Sequence, residues 1–232
     1  MKNICLLLTL SLSIVSCRSE DYLQDFYYSF SDEKEGAVYK YASKEEPLIV
    51  EYAQIDLLKD NRIKTIWYNN QLVPSSTSFE KYTDNGTELY QYSTFLKDEK
   101  GETKEIVTKI QEKDIFKWDG SPAYTMAVSY NGGNESFKLK KTRYIKGFEH
   151  ISIGGVDYRT AVFDESITIQ QDDTTKEYQQ KSFFVPRLGM IKYLKEVSKN
   201  LEFVELELVE ILTPQEFEAL KATKRLSMGL HQ

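Results

Sequence analysis

Pairs of acidic residues are the first candidates for chemistry in this sequence. A glycosidase needs two carboxylates on either side of the bond that it cleaves. Two such pairs stand out: Asp114 with Asp119, and Asp164 with Glu165. However, 36 of the 232 residues are acidic, so pairs at this spacing arise without any catalytic role. We therefore predict that the protein is not an enzyme.

Residues that bind metals or activate nucleophiles are scarce. The chain has two histidines, His150 and His231, and two cysteines, Cys5 and Cys17, both near its N-terminus. A structural or catalytic zinc site needs three or four such ligands close together. No glycine-rich phosphate loop, Gly-x-Ser-x-Gly elbow or His-Glu-x-x-His helix is present. The sequence therefore predicts neither a metal nor a cofactor.

The charge of the chain argues against a polyanionic partner. The formal net charge is −6, and proteins that bind nucleic acid carry an excess of Lys and Arg instead. One basic patch is dense: Lys138, Lys140, Lys141 and Arg143. We interpret it as the solvated side of a strand, since lysine commonly protects sheet edges. A phosphate or polyanion site is the alternative, and we predict no nucleic-acid partner.

The order of residues before Cys17 indicates processing and lipidation. An apolar run, Ile4–Val15, follows Lys2 and is too short for a transmembrane helix, which needs about 20 residues. The run ends in Ile14, Val15, Ser16 and Cys17, which resembles the lipobox of bacterial lipoprotein precursors. The resemblance implies that the chain is cut before Cys17, which is then acylated on its sulfur and on its new amine.

An ordinary secretory signal peptide, cut after Ser13 or Ser16, is the alternative interpretation. It is disfavoured because the enzyme concerned requires a small residue three positions before its cut, where Ile14 would lie for a cut after Ser16.

The residues after Cys17 indicate on which side of the outer membrane the protein lies. Arg18, Ser19, Glu20 and Asp21 resemble the acidic surface-export signal of some Gram-negative lipoproteins. A polar tether on the periplasmic face is the alternative. We predict an outer-membrane, lipid-anchored protein with three parts: a signal peptide (1–16), the lipidated Cys17 with its tether (17–24), and a single β domain (25–232).

The rest of the chain has the alternation of apolar and polar residues that is typical of antiparallel strands. Phe26, Tyr28 and Phe30 predict a first strand, and Val204, Leu206 and Leu208 a last one. Asp84-Asn85-Gly86 is the strongest hairpin signal, since these residue types suit tight turns between strands. The predicted fold is all-β: an antiparallel meander of about ten or more strands, curled into an open or incomplete barrel.

One C-terminal helix is expected to begin at about residue 214. Thr213 and Glu216 form a capping box, and Pro214 suits the first helical position. The apolar face of this helix is little more than Phe217 and Leu220, so we expect it to lie over an end of the sheet.

The predicted architecture suggests binding on the concave side of the sheet. Its strand pattern is similar to that of half-barrel envelope proteins that carry lipoprotein acyl chains between membranes, which implies a ligand with apolar character. The aromatic and aliphatic candidates for ligand contact are Trp67, Trp118, Tyr158 and Val162.

Three functions fit this pattern. The first is a non-catalytic binding module for an apolar or lipid ligand. The others are an interaction or structural subunit of an envelope complex, with an envelope protein as partner, and a surface glycan binder. An apolar cavity would favour the first, whereas a filled barrel with one exposed aromatic patch would favour the others.

Overall fold

The structure is a computed structural model that describes residues 22–28, 36–97, 101–132, 135–196 and 202–227. The predicted signal peptide, the lipobox with Cys17, and the export signal lie outside these residues. The described chain contains thirteen strands, one 3-10 helix and one α-helix. The strands are β1 (Ala37–Ala42), β2 (Val50–Leu58), β3 (Arg62–Tyr68), β4 (Pro74–Thr83), β5 (Gly86–Lys97), β6 (Thr103–Val107), β7 (Lys109–Lys117), β8 (Ala123–Gly132), β9 (Glu135–Ile153), β10 (Val156–Gln171), β11 (Thr174–Val185), β12 (Gly189–Glu196) and β13 (Phe203–Leu212).

The strands form a closed antiparallel barrel. Except for β6 and β7, consecutive strands pair with each other along the chain, and β1 then pairs with β13, which joins the first strand to the last. Strands β6 and β7 are separated only by Thr108 and both pair with β5. They occupy one place in the ring, so the barrel of the described residues has twelve strand positions.

The prediction of an all-β antiparallel meander with one C-terminal helix is confirmed, but the prediction of an open or incomplete barrel is wrong. Closure depends on the pairing of β1 with β13, which includes an ion pair between Lys40 and Glu210, 170 residues apart. Closing the sheet removes its exposed edges, where backbone groups would otherwise lack partners.

The predicted hairpin at Asp84-Asn85-Gly86 is present, with Asp84 and Asn85 as its two loop residues. Thr83 pairs with Gly86 across it, and β4 and β5 continue from there as a hairpin. Glycine is required at position 86, because a Cβ atom there would lie 2.1 Å from the carbonyl oxygen of Phe116 on the neighbouring strand.

The N-terminal segment 22–28 is not a strand but a plug at one end of the barrel. Residues Leu23–Phe26 form the 3-10 helix. Phe26 and Tyr27 are buried among the core residues, and Leu23 packs against the same cluster, so the folded part extends into the segment predicted as tether. Phe30, the third residue of the predicted strand, lies outside the described residues.

Close contacts hold the plug in place. The amide of Arg187, in the turn between β11 and β12, donates to the carbonyl oxygen of Asp25 at 2.7 Å. The ring of Tyr28 packs over Gly189, where any side chain would collide with it. The hydroxyl of Tyr82 donates to the carbonyl oxygen of Tyr28. The turns at residues 59–61, 84–85 and 186–188 lie at the same end as the plug, since Asn61, Asp84 and Arg187 border the space beside it.

The α-helix, α1 (Pro214–Ser227), lies on the outer face of β1, β2 and β3. Phe217 is completely buried there, between Tyr52 and Tyr68, with ring centroids at 5.4 and 5.1 Å. The predicted capping box is present, since Thr213 N–H donates to Glu216 Oε2 at 2.8 Å and Glu216 N–H to Thr213 Oγ1 at 3.2 Å.

Thr213→Ala is expected to lower the free energy of unfolding by about 1 kcal/mol, because the variant loses a helix N-cap. The measurement is the urea midpoint of the purified barrel. Thr223→Ala is the matched control, since Thr223 lies within the same helix and its hydroxyl bonds only the carbonyl oxygen of Ala219. Equal midpoints for the two variants would contradict a stabilising role for the cap.

None of the helices in the described ranges is long and apolar enough to cross a membrane.

Candidate functional site

The interior of the barrel contains a cavity of about 500 Å³. It extends from the inner side of the plug, at Tyr27 and Tyr28, to Asn69 and Ser75 near the opposite end. Because Asn69 and Ser75 are exposed, the cavity reaches solvent there, at the end that bears the β1–β2 and β3–β4 turns. Pockets for small molecules commonly have volumes of roughly 300–1,000 Å³.

One wall of the cavity is apolar. Strands β8, β9 and β10 contribute side chains that point inward at every second position, as the strand period requires. These are Met126, Phe137, Leu139, Ile167 and Ile169.

The wall formed by β2 to β5 is more polar. Its hydroxyl-bearing members are Thr65, Ser76, Ser78 and Thr94, and Glu51 lies among them. A molecule in the cavity would therefore meet aliphatic surface on one side and hydrogen-bonding groups on the other.

A buried ionic cluster lies between the cavity and the plug. Glu165, on β10, accepts hydrogen bonds from Arg143 Nε at 2.6 Å and from Gln180 Nε2 at 2.8 Å. Lys141 Nζ also lies 2.6 Å from Glu165. The Glu165 side chain has no exposed surface, whereas 26% of the Lys141 side chain remains exposed. The cluster therefore neutralises a buried carboxylate and leaves one cation accessible from the cavity.

Aromatic rings surround the guanidinium group of Arg143. Its central carbon lies 5.2 Å from the ring centroid of Phe184, 5.5 Å from that of Phe163 and 5.6 Å from that of Phe116. A cation near the face of an aromatic ring is attracted by the ring quadrupole. Arg143 also donates to the carbonyl oxygen of Ile115 at 2.9 Å, so its position is fixed by both kinds of contact.

Burial and attraction between opposite charges shift the pKa values of this cluster in opposite directions, and the opposite charge prevails for two of the three groups. Burial alone would raise the pKa of Glu165, but Arg143 and Lys141 outweigh it and hold that pKa below its usual value. Burial opposes the charge of Arg143, yet attraction to Glu165 leaves the pKa of Arg143 raised. For Lys141, burial dominates and lowers the pKa, although Glu165 acts in the other direction.

A second buried carboxyl joins the plug to the barrel. Glu80 accepts a hydrogen bond from the hydroxyl of Tyr27, and another from Ser78 at 3.1 Å. Burial raises the pKa of Glu80, and these hydrogen bonds oppose the shift. The plug is therefore attached through a polar contact as well as through aromatic packing.

A third charged group lies on the cavity wall. Glu51 accepts a hydrogen bond from the Tyr193 hydroxyl at 2.6 Å, and Lys195 Nζ lies 3.5 Å from it. The cations that line the cavity, namely Lys141, Arg143 and Lys195, each have an acidic partner within 3.5 Å.

Of the four predicted ligand-contact residues, Trp67 lines the cavity. Its ring is stacked with that of Tyr41, with centroids 5.9 Å apart, and meets Tyr193 edge-on at 6.4 Å. Trp67 thus both completes the aromatic core and borders the cavity. Ligand contact by this residue stays a prediction.

Trp118, Tyr158 and Val162 lie outside the cavity wall, contrary to the expectation that they share one concave surface. Trp118 follows β7 at the plug end, where its indole N–H donates to the carbonyl oxygen of Asp84 at 2.8 Å. Tyr158 lies on the hairpin of β9 and β10, and Val162 pairs with Phe183 on the outer face. Apolar residues occupy both faces of β10, so the composition of the strand did not indicate which face is inward.

The basic patch is divided between the two faces of β9. Lys138 and Lys140 are exposed, as predicted. Lys141 and Arg143 instead point into the barrel with Phe137 and Leu139, so a solvated role for these two is wrong. The signal in the sequence was the alternation Phe137, Leu139, Lys141, Arg143, which continues an apolar face into two cations. An inward Glu165 on the next strand explains why they are tolerated there.

The acidic pairs considered for catalysis do not face each other across a cleft. Asp114 lines the cavity, but Asp119 lies in the following turn, 3.1 Å from Lys117. Glu165 points inward, whereas Asp164 points outward and lies 3.3 Å from Lys146. Within the described part of the chain, no group of three or more His, Cys, Asp or Glu side chains could hold a metal ion.

A larger hollow, of about 760 Å³, lies on the outer side of the plug. It lacks the aliphatic wall of the internal cavity, since most of its lining is polar: Gln24, Asp25, Asn61, Thr83, Asp84 and Arg187. The internal cavity is therefore the better candidate for an apolar ligand.

No family model matches this sequence, and no curated protein matches it either. Among solved structures, the chain resembles a "putative lipoprotein" of Parabacteroides distasonis, with a TM-score of 0.43, 10% identity, and coverage of 81% of this chain and 96% of that one. It also resembles a "putative exported protein with YmcC-like fold" of Bacteroides fragilis, with a TM-score of 0.39, 9% identity, and coverage of 81% and 99%.

A third resemblance is to the hypothetical lipoprotein YmcC of Escherichia coli K12, with a TM-score of 0.33, 14% identity, and coverage of 83% of this chain and 90% of that one. All three likenesses are too distant to assign a family or a function to this chain.

Proposed function

We propose that the mature protein is a lipid-anchored envelope protein that binds one apolar or lipid ligand inside its barrel, without catalysing a reaction. The observation that carries this proposal is the internal cavity of about 500 Å³, with its aliphatic wall on β8, β9 and β10. A cavity of this kind is a binding site by default, because the barrel would gain packing energy if its own side chains filled it.

The size of the cavity is sufficient for a measurable affinity. Burying about 300 Å² of apolar ligand surface at ~25 cal/mol per Å² contributes about 7–8 kcal/mol. This is close to the ~8 kcal/mol that corresponds to a Kd of 1 μM. The hydroxyl groups of the opposite wall and the partly exposed Lys141 favour a ligand that also has a polar part.

The geometry gives the ligand one direction of entry. Phe26 and Tyr27 close one end, whereas Asn69 and Ser75 border the cavity where it meets solvent. Access is thus expected at the end with the β1–β2 and β3–β4 turns.

The lipid anchor is a separate part of the proposal and rests on the lipobox at residues 14–17; it does not depend on the distant structural likenesses.

The structure offers less support for a glycan binder. Trp67 lies inside the barrel, and Tyr68 packs outside it against Phe217 of α1. Rings on opposite faces of a sheet cannot form one exposed platform for sugar stacking. If no ligand binds, a role as a subunit of an envelope complex would be the better interpretation of the protein's function.

The test is to express residues 18–232 without the lipid and titrate the protein with a fluorescent fatty acid. Native mass spectrometry of the purified protein should detect any co-purified lipid. Saturable binding with a Kd in the micromolar range, or a bound lipid adduct, is expected. The absence of both would refute the binding proposal.

Ile169→Trp is expected to weaken this binding at least tenfold, because a larger side chain would fill part of the cavity. Thr168→Trp is the matched control: the neighbouring residue of β10 points to the outer face, where the same substitution leaves the cavity unchanged. Circular dichroism and a urea midpoint check that both variants are folded. Equal affinities of the two variants would place the ligand outside the barrel.

A further inference from the structure

The hairpin formed by the ends of β9 and β10 projects beyond the barrel. Pairing of β10 with β11 begins at Ala161, and pairing of β9 with β8 ends at Tyr144. Residues Val156–Thr160 therefore pair only with β9, in a two-stranded ribbon that extends past the turn at residues 186–188. At ~3.3 Å per residue, these five residues span at most about 17 Å, and Thr160, at the base of the ribbon, is still buried. The ribbon lies at the plug end.

The two faces of this hairpin differ. Phe148 lies on the inner face, where its ring packs against Phe26 of the plug with centroids 5.3 Å apart. The opposite face points away from the barrel axis. Its cross-strand pairs are Ile151 with Tyr158 and Ile153 with Val156.

This outer face is apolar and accessible. Val156, at the tip, is 51% exposed, and the other three residues are half-buried. An isolated ribbon of two strands has little structure of its own to cover such a face. A partner of apolar character is the kind that fits it.

The predicted anchor identifies that partner. Cys17 precedes Tyr22 by five residues, which span at most about 18 Å of extended chain. Tyr22 is the first described residue and leads directly into the plug, at the end where the hairpin projects. The anchor can therefore reach as far from this end of the barrel as the hairpin tip does.

We propose that the tip of the β9–β10 hairpin rests in the surface of the lipid bilayer to which Cys17 is anchored. Ile153 and Val156 enter the acyl region, and Tyr158 lies at the interface, where a ring with a polar end is well accommodated. This inference rests on the lipid anchor of the proposed function and adds the orientation of the barrel to it.

The charges of the hairpin point to lipid rather than to a charged partner. Lys146 and Arg159 are balanced by Glu149 and Asp157, so little electrostatic attraction is expected. The contact should have the same strength on neutral and on anionic membranes.

With the plug end at the membrane, the open end of the cavity faces away from it, so a ligand would be exchanged with a soluble carrier or a protein partner.

The test uses the predicted mature chain, 17–232, coupled through the Cys17 thiol to a maleimide lipid in phosphatidylcholine vesicles. Cys17 is the one cysteine of this chain, so the coupling is specific and does not depend on lipidation in the cell. Val156→Trp adds a fluorescent reporter at the tip. Leu48→Trp is the matched control, because Leu48 is 83% exposed in the β1–β2 turn at the opposite end.

The added emission of Val156→Trp should shift to the blue on coupling, and brominated lipid should quench it, whereas Leu48→Trp should respond to neither. Vesicles containing anionic lipid should give the same result. The inference is overturned if the two variants respond alike. It is also overturned if Val156→Trp is already blue-shifted without vesicles in a concentration-dependent manner, since a second copy of the chain would then cover the hairpin.

Discussion

Arg143→Met is expected to destabilise the fold by about 3–5 kcal/mol, because it removes one partner of a buried ion pair. Glu165 would keep Lys141, but it would lose the charge-assisted hydrogen bond of 2.6 Å from Arg143. Methionine would fill much of the same space among Phe116, Phe163 and Phe184. The loss would therefore come from a carboxylate that is only partly compensated, by Lys141 and Gln180, rather than from a void.

The measurement is equilibrium unfolding in urea, followed by circular dichroism. Lys113→Met is the matched control, because Lys113 and Glu88 are also 2.6 Å apart, but their side chains are 57% and 32% exposed. Exposed pairs contribute about 0–1 kcal/mol. If the two variants lost stability equally, burial would not be the source of the effect.

The buried pair of Glu165 and Arg143 also predicts that the stability of the fold depends on pH. The folded-state pKa of Glu165 lies below its ordinary value of 4.5, so the carboxylate stabilises the fold at pH above that value. This stabilisation is lost as the pH falls through the lower, folded-state pKa. The difference in stability between the wild type and Arg143→Met should therefore be present at neutral pH and shrink under acid conditions.

Cys17→Ala is expected to move the protein from the membrane fraction to the soluble fraction. One acyl chain gives only marginal membrane binding, whereas two or more hold a protein firmly. Loss of the acceptor thiol removes all of them. The barrel should be unaffected, because the described residues begin at Tyr22 and include no cysteine.

Membrane pelleting after a high-salt wash measures this effect. Cys5→Ala is the control, since Cys5 lies within the apolar run and not in the lipobox; that variant should stay with the membranes. Retention of Cys17→Ala in the washed membranes would contradict the lipid anchor. The hairpin alone would not explain such retention, because its exposed apolar surface is small.

Local features of the fold could be predicted because neighbouring residues determine them. The turn at Asp84-Asn85 was indicated by adjacent residues of types that favour turns, and the start of α1 depends on Thr213 and Glu216, three positions apart. Strand alternation likewise identified β13, where Val204 and Leu206 point inward. These interactions are short in sequence, so pattern and chemistry were sufficient.

The plug shows where local reasoning fails. Phe26 and Tyr28 have the spacing of a strand, yet residues Leu23–Phe26 form a 3-10 helix. The rings of Phe26 and Tyr27 instead pack against Phe148 and Phe116, distant in sequence, with centroids 5.3 and 4.8 Å apart. Such contacts exist only after the barrel has formed, and no nearby residue indicates them.

The sequence by itself determined the strand-rich class, the hairpin turns, the C-terminal helix and the predicted anchor at Cys17, because each depends on residues close together in the chain. The tertiary structure alone decided that the barrel is closed and which residues face its cavity. Closure requires β1 to pair with β13, which are far apart in sequence. The inward face of β10 cannot be inferred from the sequence, because the adjacent residues Val162 and Phe163 are both apolar and both buried, at 2% and 0% exposed. Alternation shows which side chains share a face, but only the arrangement of all the strands determines which face is inside.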